Sequence, residues 1–420
     1  MELIRYYTFR VPCLSKIDSR KELSNLSGLE MELYKNPNFI YRYDPSGVTI
    51  VRGLFKPYRG DREFAEVLKR RSIGAEELDP FTLSTALESE ILLTKPPKNV
   101  EKKVIHNEIN LPFEATNFYA VLEVTSKCNL RCKHCYFYED RNKLEEPETE
   151  ELIERVRKLK KWGVCYVEVT GGEPTLREDL PSILSEVVRN DMFFYLPTNG
   201  VNITNIPTNL LRKADLITIS IDGDEEFHDR FRGVRGSYKR AVNALKFLQD
   251  HGIKPTISVT ITDDNLEYME HLIKLGNKYN SDVMFSRVIR TGGALLNNLL
   301  FSREDKVEKD GVKTLGTIRV IQKMLKISKR MPMPAYLYGC DYGRKTFGIS
   351  PDGRMLYCIY NRNLDVGHFD DYNHPTDFLN TVHDLIQEKK KKIKQCKECE
   401  IDSCGGLCDL SNIFKRLSAS

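Results

Sequence analysis

The sequence predicts an α/β protein built around six parallel strands, with a smaller domain before them and a cysteine-rich segment after them. Six apolar strand-like runs alternate with helical segments in the middle of the chain. This alternation implies parallel pairing with right-handed crossovers, hence a partial (β/α)6 barrel. The length of 420 residues is too great for one ordinary domain. Nine of the eleven cysteines fall in two groups, at 128–135 and at 340–408.

Composition narrows the class of protein. Hydrophobic residues make up 40% and charged residues 30%, which is typical of a soluble globular chain. The net charge of +4 is small for this length and does not favour a nucleic-acid partner. No apolar run approaches the roughly 18 residues of a membrane span, and the first residues lack a signal-peptide pattern. We therefore expect a cytoplasmic protein with neither nucleic acid nor membrane as a partner.

The first domain is predicted over residues 1–93. Strand-like runs start at Arg5 and Phe39, and the second folds back at Pro45-Ser46-Gly47. Helices are predicted around Glu63–Arg71 and Pro80–Leu93. This content suits a small winged-helix-like α+β module. Residues 94–117 contain two prolines and a charged stretch, and are predicted to be a linker.

The barrel is predicted over residues 118–300. Its strands are expected at Phe118–Val124, Cys165–Val169, Met192–Leu196, Leu216–Ile221, Thr256–Ile261 and Val283–Val288. Helices are expected over Ser237–Asp250 and Asp264–Tyr279, from apolar residues at helical spacing. Residues 301–330 are predicted to form a helical connection, and residues 331–420 a turn-rich domain. Functional residues are expected at the carboxyl ends of the strands.

Three cysteines follow the first predicted barrel strand, in the stretch TSKCNLRCKHCYFYED. The CxxxCxxC spacing of Cys128, Cys132 and Cys135 can bring three thiolates together, and thiolates select iron–sulfur clusters or zinc. Three ligands leave one iron of a [4Fe–4S] cluster open for a substrate, whereas structural zinc normally takes a closed set of four. A zinc site with His134 as fourth ligand is the alternative interpretation.

At these residues the chain resembles the radical S-adenosylmethionine (SAM) superfamily, whose loop is CxxxCx(aromatic)C, with His134 in the aromatic place. The resemblance covers roughly residues 118–291 and includes the GGEP motif, here Gly171-Gly172-Glu173-Pro174. It implies that Gly171, Gly172 and Glu173 hold the amino group of SAM. It also implies that one electron, from a donor such as flavodoxin or ferredoxin, cleaves SAM to methionine and a 5′-deoxyadenosyl radical, which abstracts hydrogen from a substrate.

A third motif follows the fourth strand. Ser220-Ile221-Asp222-Gly223, with His228 and Arg232 after it, resembles the SIDG…HD..RG pattern of family members that carry a C-terminal cysteine-rich extension. The resemblance implies that Ser220 and Asp222 lie near the ribose of SAM and that Arg232 reaches its carboxylate. The alternative is an ordinary turn at Asp222, with His228 beside a helix cap. The loop 290–293 either faces the cofactor or is a plain connection.

Six cysteines and a glycine near the C-terminal end follow a second pattern: Cys340, Gly353, Cys358, Cys396, Cys399, Cys404 and Cys408. This pattern resembles the SPASM extension, which holds up to two auxiliary [4Fe–4S] clusters. By position, one cluster takes Cys340, Cys358 and Cys408, and the other takes the remaining three. The interval from Cys399 to Cys404 is one residue short, and neither cluster has an assigned fourth ligand. A single auxiliary cluster and a zinc ribbon are the alternatives.

The remaining unusual residues are assigned to packing. Cys165 and Cys13 are interpreted as small buried side chains and Trp162 as part of the core. No residue is assigned as a catalytic acid or base.

The function implied by the resemblance is radical modification of a peptide or protein, forming a thioether or carbon–carbon cross-link in a ribosomally made peptide. The first domain loosely resembles modules that bind leader peptides by strand addition; an accessory or dimerisation domain is the alternative. A second hypothesis is an enzyme of cofactor or haem biosynthesis that uses the same radical. A third, from another class, is a metal-structured peptide-binding protein without turnover.

Overall fold

The structure is a computed structural model and describes residues 31–37, 39–44, 47–51, 58–70, 72–88, 91–97, 105–108, 119–289, 291–299, 346–362 and 366–392. These residues divide into two compact units, one up to Glu108 and one from Tyr119 onward. Each unit has a buried core of its own. Within the described residues, no helix is long and apolar enough to cross a membrane.

The first unit contains two small sheets and two helices. Its elements are β1 (Glu32–Lys35), β2 (Ile40–Asp44), β3 (Gly47–Val51), β4 (Tyr58–Gly60), α1 (Arg62–Lys69), β5 (Ile73–Gly74), α2 (Pro80–Glu88), β6 (Leu92–Leu93) and β7 (Ile105–Glu108). One sheet has the order β4-β3-β2-β7 and the other β5-β1-β6. The predicted hairpin is therefore present as β2 and β3, which pair antiparallel.

Two predictions for this unit need adjustment. The second helix ends at Glu88 rather than Leu93, because Leu92 and Leu93 form a strand that pairs with β1. The segment predicted as a linker contributes β7, which pairs parallel with β2. The strand predicted from Arg5 lies outside the described residues.

The second unit contains the six predicted parallel strands. Its elements are β8 (Tyr119–Thr125), α3 (Thr149–Lys161), β9 (Tyr166–Gly171), α4 (Leu180–Arg189), β10 (Phe193–Thr198), α5 (Thr208–Leu211), β11 (Leu216–Ser220), α6 (Glu225–Arg232), α7 (Ser237–Asp250), β12 (Thr256–Ile261), α8 (Met269–Lys278), β13 (Asp282–Arg287), α9 (Gly292–Leu296), β14 (Thr346–Ile349), β15 (Met355–Leu356) and α10 (Pro375–Lys392). Strands β8 to β13 lie side by side in chain order, and every neighbouring pair is parallel. The predicted α/β fold of parallel strands is confirmed.

Side chains alternate between the two faces of this sheet. Ala120, Leu122 and Val124 of β8 join the core formed with the helices, and we call this side the outer face. Tyr119 and Val121 pack with residues near β15 in a separate cluster on the opposite side, the inner face.

Two details of the unit differ from the sequence prediction. The helix expected from Asp264 starts as a 3-10 turn at Asp263–Tyr268 and becomes α-helical only at Met269. The Asn265 side chain explains this start, because it bonds to the backbone of Asp222, Thr260 and Thr262 instead of pointing to solvent. In addition, β14 from the predicted C-terminal domain pairs parallel with β8, so the sheet continues beyond six strands.

Candidate functional site

The three-cysteine loop begins where β8 ends, and polar side chains hold its two ends together. The Glu146 carboxylate accepts from the Ser126 backbone N–H and from the Thr125 hydroxyl, at 2.8 and 2.5 Å. Asn142, in a left-handed conformation with φ of 61°, accepts from the Cys128 N–H at 2.9 Å through its side chain. Its own N–H donates to the Ser126 carbonyl. The loop is thus closed on itself before any ligand is considered.

Backbone hydrogen bonds from other elements then fix the loop around each cysteine. The N–H groups of Arg131 and Lys133, on either side of Cys132, donate to the carbonyls of Arg232 and Phe231 at 3.0 Å. The Gly293 N–H donates to the Cys135 carbonyl at 2.9 Å. Backbone hydrogen bonds therefore attach the loop after β8 to the end of α6 and to the turn after β13.

Glycines from three elements allow this close approach. A Cβ on Gly172 would lie 2.2 Å from the Lys127 carbonyl oxygen. A Cβ on Gly233 would lie 2.8 Å from the Arg131 carbonyl oxygen, and one on Gly293 2.8 Å from that of Lys133. Since real Cβ atoms do not approach backbone atoms so closely, each of these positions requires glycine. The sequence signal for Gly172 was the GGEP motif; Gly293 lies in the loop for which both interpretations were open.

The three thiols are held in low-dielectric surroundings. Burial raises the pKa of Cys128 to about 12 and that of Cys135 to about 11. Burial also raises the pKa of Cys132, against the opposing effect of Arg232. Thiols in such an environment ionise when a cation binds them, which is the behaviour of structural metal ligands.

Within the described part of the chain, no three His, Cys, Asp or Glu side chains are grouped so that they could hold one metal ion. The chemistry of the donors distinguishes a cluster from a zinc ion. Three thiolates leave one iron of a [4Fe–4S] cluster open for a substrate, whereas structural zinc normally takes a closed set of four ligands. The donor set therefore fits a [4Fe–4S] cluster better than the zinc alternative.

Glu173 of the GGEP motif is a structural anchor in addition to its predicted role. Its carboxylate is buried and accepts from the Thr175 N–H and hydroxyl, the Thr198 hydroxyl and the Asn199 N–H. Burial raises its pKa, and these four hydrogen bonds oppose the rise. The side chain thereby ties the end of β9 to the end of β10. The backbone of Gly172 and Glu173 in turn donates to the carbonyls of Thr125 and Lys127, just before the first cysteine.

The SIDG motif divides into an accessible residue and a buried one. Ser220, at the end of β11, remains partly exposed and can face a ligand. Asp222 is fully buried, and both of its carboxylate oxygens are used: one accepts from the Thr260 N–H at 2.9 Å and the other from the Arg232 Nε at 2.7 Å. Arg232 is also buried, and its Nη1 lies 3.8 Å from the Cys132 sulfur. The structure thus places Arg232 beside Cys132 of the loop and Asp222 beside Arg232.

His134 takes the aromatic place of the loop in its packing as well as in sequence. Its ring stacks on Phe231 with centroids 4.7 Å apart, and burial lowers its pKa to about 4. Its Nδ1 is buried and has no hydrogen-bond partner among the described residues. A buried polar atom without a partner beside three thiols can be satisfied by a bound cofactor. Together with the glycine contacts and the donor set, this fits a [4Fe–4S] cluster with SAM at this loop.

Sequence reasoning missed two carboxylates on the inner face. Glu123 of β8 is fully buried and forms a bidentate ion pair with Arg362, at 2.6 and 2.9 Å. Arg362 also lies 4.4 Å over the Phe137 ring, within the segment that follows the third cysteine. Glu168 of β9 accepts from the Tyr119 hydroxyl, and burial raises its pKa to about 7. The available signal was a carboxylate in the middle of each apolar strand, YAVLEVT and YVEVTG, since such a residue requires a partner.

Of the C-terminal cysteines, only Cys358 lies in the described residues, where it is buried in the main core. Cys340, Cys396, Cys399, Cys404 and Cys408 lie outside the described residues, as does Cys13. The auxiliary clusters therefore remain a prediction. Cys165 is buried, and Trp162 packs against Phe347 and Phe369 as expected for core residues.

Comparison with known proteins agrees with this geometry. Residues 122–276 match the family model of the radical SAM superfamily. The antilisterial bacteriocin subtilosin biosynthesis protein AlbA of Bacillus subtilis is 30% identical over 320 residues, which cover 72% of this chain and 67% of AlbA. The chain belongs to the radical SAM superfamily. Members of this superfamily use a [4Fe–4S] cluster and SAM.

Other relatives are matched over a shorter stretch. The Fe-coproporphyrin III synthase of Methanosarcina barkeri is 34% identical over 152 residues, 35% of this chain and 37% of that enzyme. The chain thus spans well under half the length of this relative.

Solved structures of SuiB share the fold of this chain. SuiB of Streptococcus suis bound to S-adenosylmethionine superimposes with a TM-score of 0.59 at 16% identity, covering 90% of this chain and 96% of SuiB. SuiB bound to its precursor peptide SuiA gives a TM-score of 0.57 at 16% identity, covering 83% and 88%.

Proposed function

We propose that this chain cleaves SAM reductively at a [4Fe–4S] cluster held by Cys128, Cys132 and Cys135. The observation that supports this proposal most directly is the clasped loop, in which three thiols are fixed by backbone contacts from three other elements. When bound, the cluster and SAM supply a 5′-deoxyadenosyl radical. The protein's own residues orient these groups and exclude water, and Ser220, partly exposed at the end of β11, is available to contact SAM.

We further propose that the radical modifies a ribosomally made peptide by forming a cross-link. The match to AlbA supports this, because it extends over 72% of the chain, whereas the match to the Fe-coproporphyrin III synthase extends over 35%. A thioether or carbon–carbon cross-link removes two hydrogens from the peptide. One becomes part of 5′-deoxyadenosine, and the other leaves as a proton and an electron. The C-terminal cysteines would hold an auxiliary iron–sulfur cluster, which would accept that electron.

The first unit is proposed to recognise the peptide by strand addition. Within the described residues, β4 is one of the two edge strands of the sheet β4-β3-β2-β7, in which β2, β3 and β4 pair antiparallel. An edge strand offers backbone N–H and C=O groups to an extended peptide. Helix α1 packs against the same sheet, with Phe64 and Leu68 buried.

The first experiment is anaerobic reconstitution with iron and sulfide, reduction with dithionite and an assay for 5′-deoxyadenosine. Wild type should form it, and the variant Cys128→Ala/Cys132→Ala/Cys135→Ala should not. Cys165→Ala is the control, because Cys165 is also a free cysteine but is fully buried and precedes β9, at the opposite end of that strand from the GGEP motif. A wild-type protein with a full complement of iron and sulfide that never yields 5′-deoxyadenosine, with or without substrate, would contradict the proposal.

The substrate class is tested by adding candidates to the same assay. Short peptides encoded by neighbouring genes should stimulate 5′-deoxyadenosine formation. Each modified peptide should lose two hydrogen atoms, which mass spectrometry detects as a decrease of about 2 Da. Stimulation by an iron tetrapyrrole precursor, and not by the peptides, would favour the haem-pathway alternative instead.

A further inference from the structure

The buried side chain of Arg232 contacts Cys132 of the cysteine loop. Arg232 is the last residue of helix α6, and the next residue, Gly233, takes a left-handed conformation. The backbone on both sides of Cys132 is hydrogen-bonded to the carbonyls of Arg232 and Phe231, so main-chain contacts hold the end of α6 beside Cys132.

The guanidinium divides its donors between two partners. Its Nε donates to Asp222 at 2.7 Å, and its Nη1 lies 3.8 Å from the Cys132 sulfur. The side chains of Arg232 and Asp222 are 9% and 0% exposed, so solvent screens this pair very little. The resemblance predicts that both residues contact SAM. In the structure each oxygen of Asp222 accepts one hydrogen bond, and the Nε of Arg232 is paired with Asp222.

We infer that Arg232 is a positioning residue that raises the reduction potential of the cluster through Cys132, and that Asp222 moderates this effect. The inference rests on the proposed function only in that Cys132 is a cluster ligand. Reduction adds one negative charge to the cluster. A buried cation beside a ligand sulfur stabilises that charge, and a buried carboxylate beside the cation opposes it. The two residues should therefore act on the potential with opposite signs.

The inference is tested by a potentiometric titration of the reconstituted full chain, followed by electron paramagnetic resonance. Signals from any other cluster are removed by subtracting the spectrum of Cys128→Ala/Cys132→Ala/Cys135→Ala at each potential. Arg232→Gln should shift the midpoint to a more negative value, and Asp222→Asn should shift it to a less negative value. Arg232→Lys, which keeps the charge, should return the midpoint toward wild type.

A matched control is available on the same helix. Arg230 is two residues away, but its side chain is 59% exposed and pairs with Glu226. Arg230→Gln removes the same charge from α6 and should leave the midpoint unchanged, because solvent screens it. Equal shifts in Arg230→Gln and Arg232→Gln would show a general charge effect and overturn the inference.

The affinity for SAM separates this role from the one expected from sequence. If Arg232 held the SAM carboxylate, Arg232→Gln would weaken SAM binding and leave the midpoint of the SAM-free cluster unchanged, and that result would overturn the inference. If Arg232→Gln binds no cluster, Asp222→Asn carries the test, and a midpoint of Asp222→Asn that equals that of wild type overturns the inference. A wild type without a cluster at the loop would instead contradict the proposed function, and the inference with it.

Discussion

At the scale of single residues, the carboxylates of Glu123 and Glu168 lie on the same face of the sheet but have different hydrogen-bond partners. They lie on the inner face of neighbouring strands, where Glu123 is fully buried and Glu168 is partly buried. Glu123 has a bidentate partner in Arg362, whereas Glu168 is bonded to the neutral Tyr119 hydroxyl. An ionised carboxylate without a cation beside it is costly in such surroundings. Glu168 therefore has its pKa raised to about 7, and it titrates near neutral pH.

Glu168→Gln should stabilise the protein at alkaline pH only. Because the folded-state pKa lies above the unfolded one, the folded protein binds this proton more tightly, and stability falls as the pH rises through about 7. Glutamine keeps an acceptor for Tyr119 and removes the titration. The variant should gain on the order of 2–3 kcal/mol over wild type at about pH 8.5 and little at about pH 5.

Thermal unfolding of the wild type and the variant at the two pH values measures this gain. Glu270→Gln is the control, since Glu270 is exposed on α8 and paired with Lys274. An advantage of Glu168→Gln that is equal at both pH values would show that the carboxyl does not titrate as described.

Gly172→Ala should prevent cluster assembly. The new methyl group would press on the Lys127 carbonyl, one residue before Cys128, and the loop would have to move. Iron and sulfide content after reconstitution should fall several-fold. Gly252→Ala is the matched control: Gly252 also has a positive φ, at 68°, but nothing lies within 4 Å of its added Cβ. That control should lose only about 1 kcal/mol of stability and keep its cluster.

At the scale of elements, the segment containing β14 and β15 is attached to the barrel by charges as well as by strand pairing. Arg362 reaches Glu123 on β8 and Asp140 in the segment after the cysteine loop. Arg354 also pairs with Asp140, at 3.3 Å. Three parts of the chain thus meet at two buried or half-buried carboxylates.

Arg362→Met should destabilise the protein strongly. It leaves the Glu123 carboxylate fully buried without its cation, for which about 3–5 kcal/mol is typical. The double variant Glu123→Gln/Arg362→Met should recover part of the loss, because no buried charge is then unpaired. Thermal unfolding midpoints measure both effects.

The control for this pair is Lys254→Met. Lys254 and Asp282 form an ion pair of similar length, 2.8 Å, but both side chains are 54% exposed. Removal of an exposed pair typically changes stability by only about 0–1 kcal/mol. A loss in Arg362→Met no larger than in this control would show that Glu123 does not depend on Arg362.

At the scale of the whole molecule, the parts predicted from sequence are those with strong local signals. All six parallel strands lie within two residues of their predicted ends, because apolar runs with buried side chains on the outer face are readable from the chain alone. The three-cysteine loop and GGEP were likewise readable as motifs. The contact between Arg232 and Cys132 could not be predicted from sequence, because the two residues are 100 positions apart and meet only through the packing of α6. The same holds for Asp222, which is paired with Arg232. The pairing of β14 with β8 is equally non-local.

The two cores predict that the second unit folds alone. The buried cluster around β8 to β14 shares no residue with the one around β2 and α1. A chain shortened to residues 112–420 should therefore take up iron and sulfide and form 5′-deoxyadenosine at close to the full-length rate in the absence of peptide. Stimulation by a peptide substrate should be lost, if the first unit recognises it.

Iron content, sulfide content and the uncoupled 5′-deoxyadenosine rate of the shortened chain are the measurements. The shortened chain with Cys128→Ala is the control for iron bound elsewhere. A shortened chain that is insoluble or free of iron would show that the second unit needs the first.

Because β8 pairs with β14, one edge of β8 stays unpaired during synthesis until β14 has been made. Glu123 and its partner Arg362 are separated by 239 residues, so the carboxylate and one edge of β8 are made long before the groups that complete them. At about 5–20 residues per second, the ribosome needs on the order of 10–50 s to bridge that interval. Throughout that time the nascent chain presents a strand edge next to three oxidisable thiols, and it must be shielded from both mispairing and oxygen.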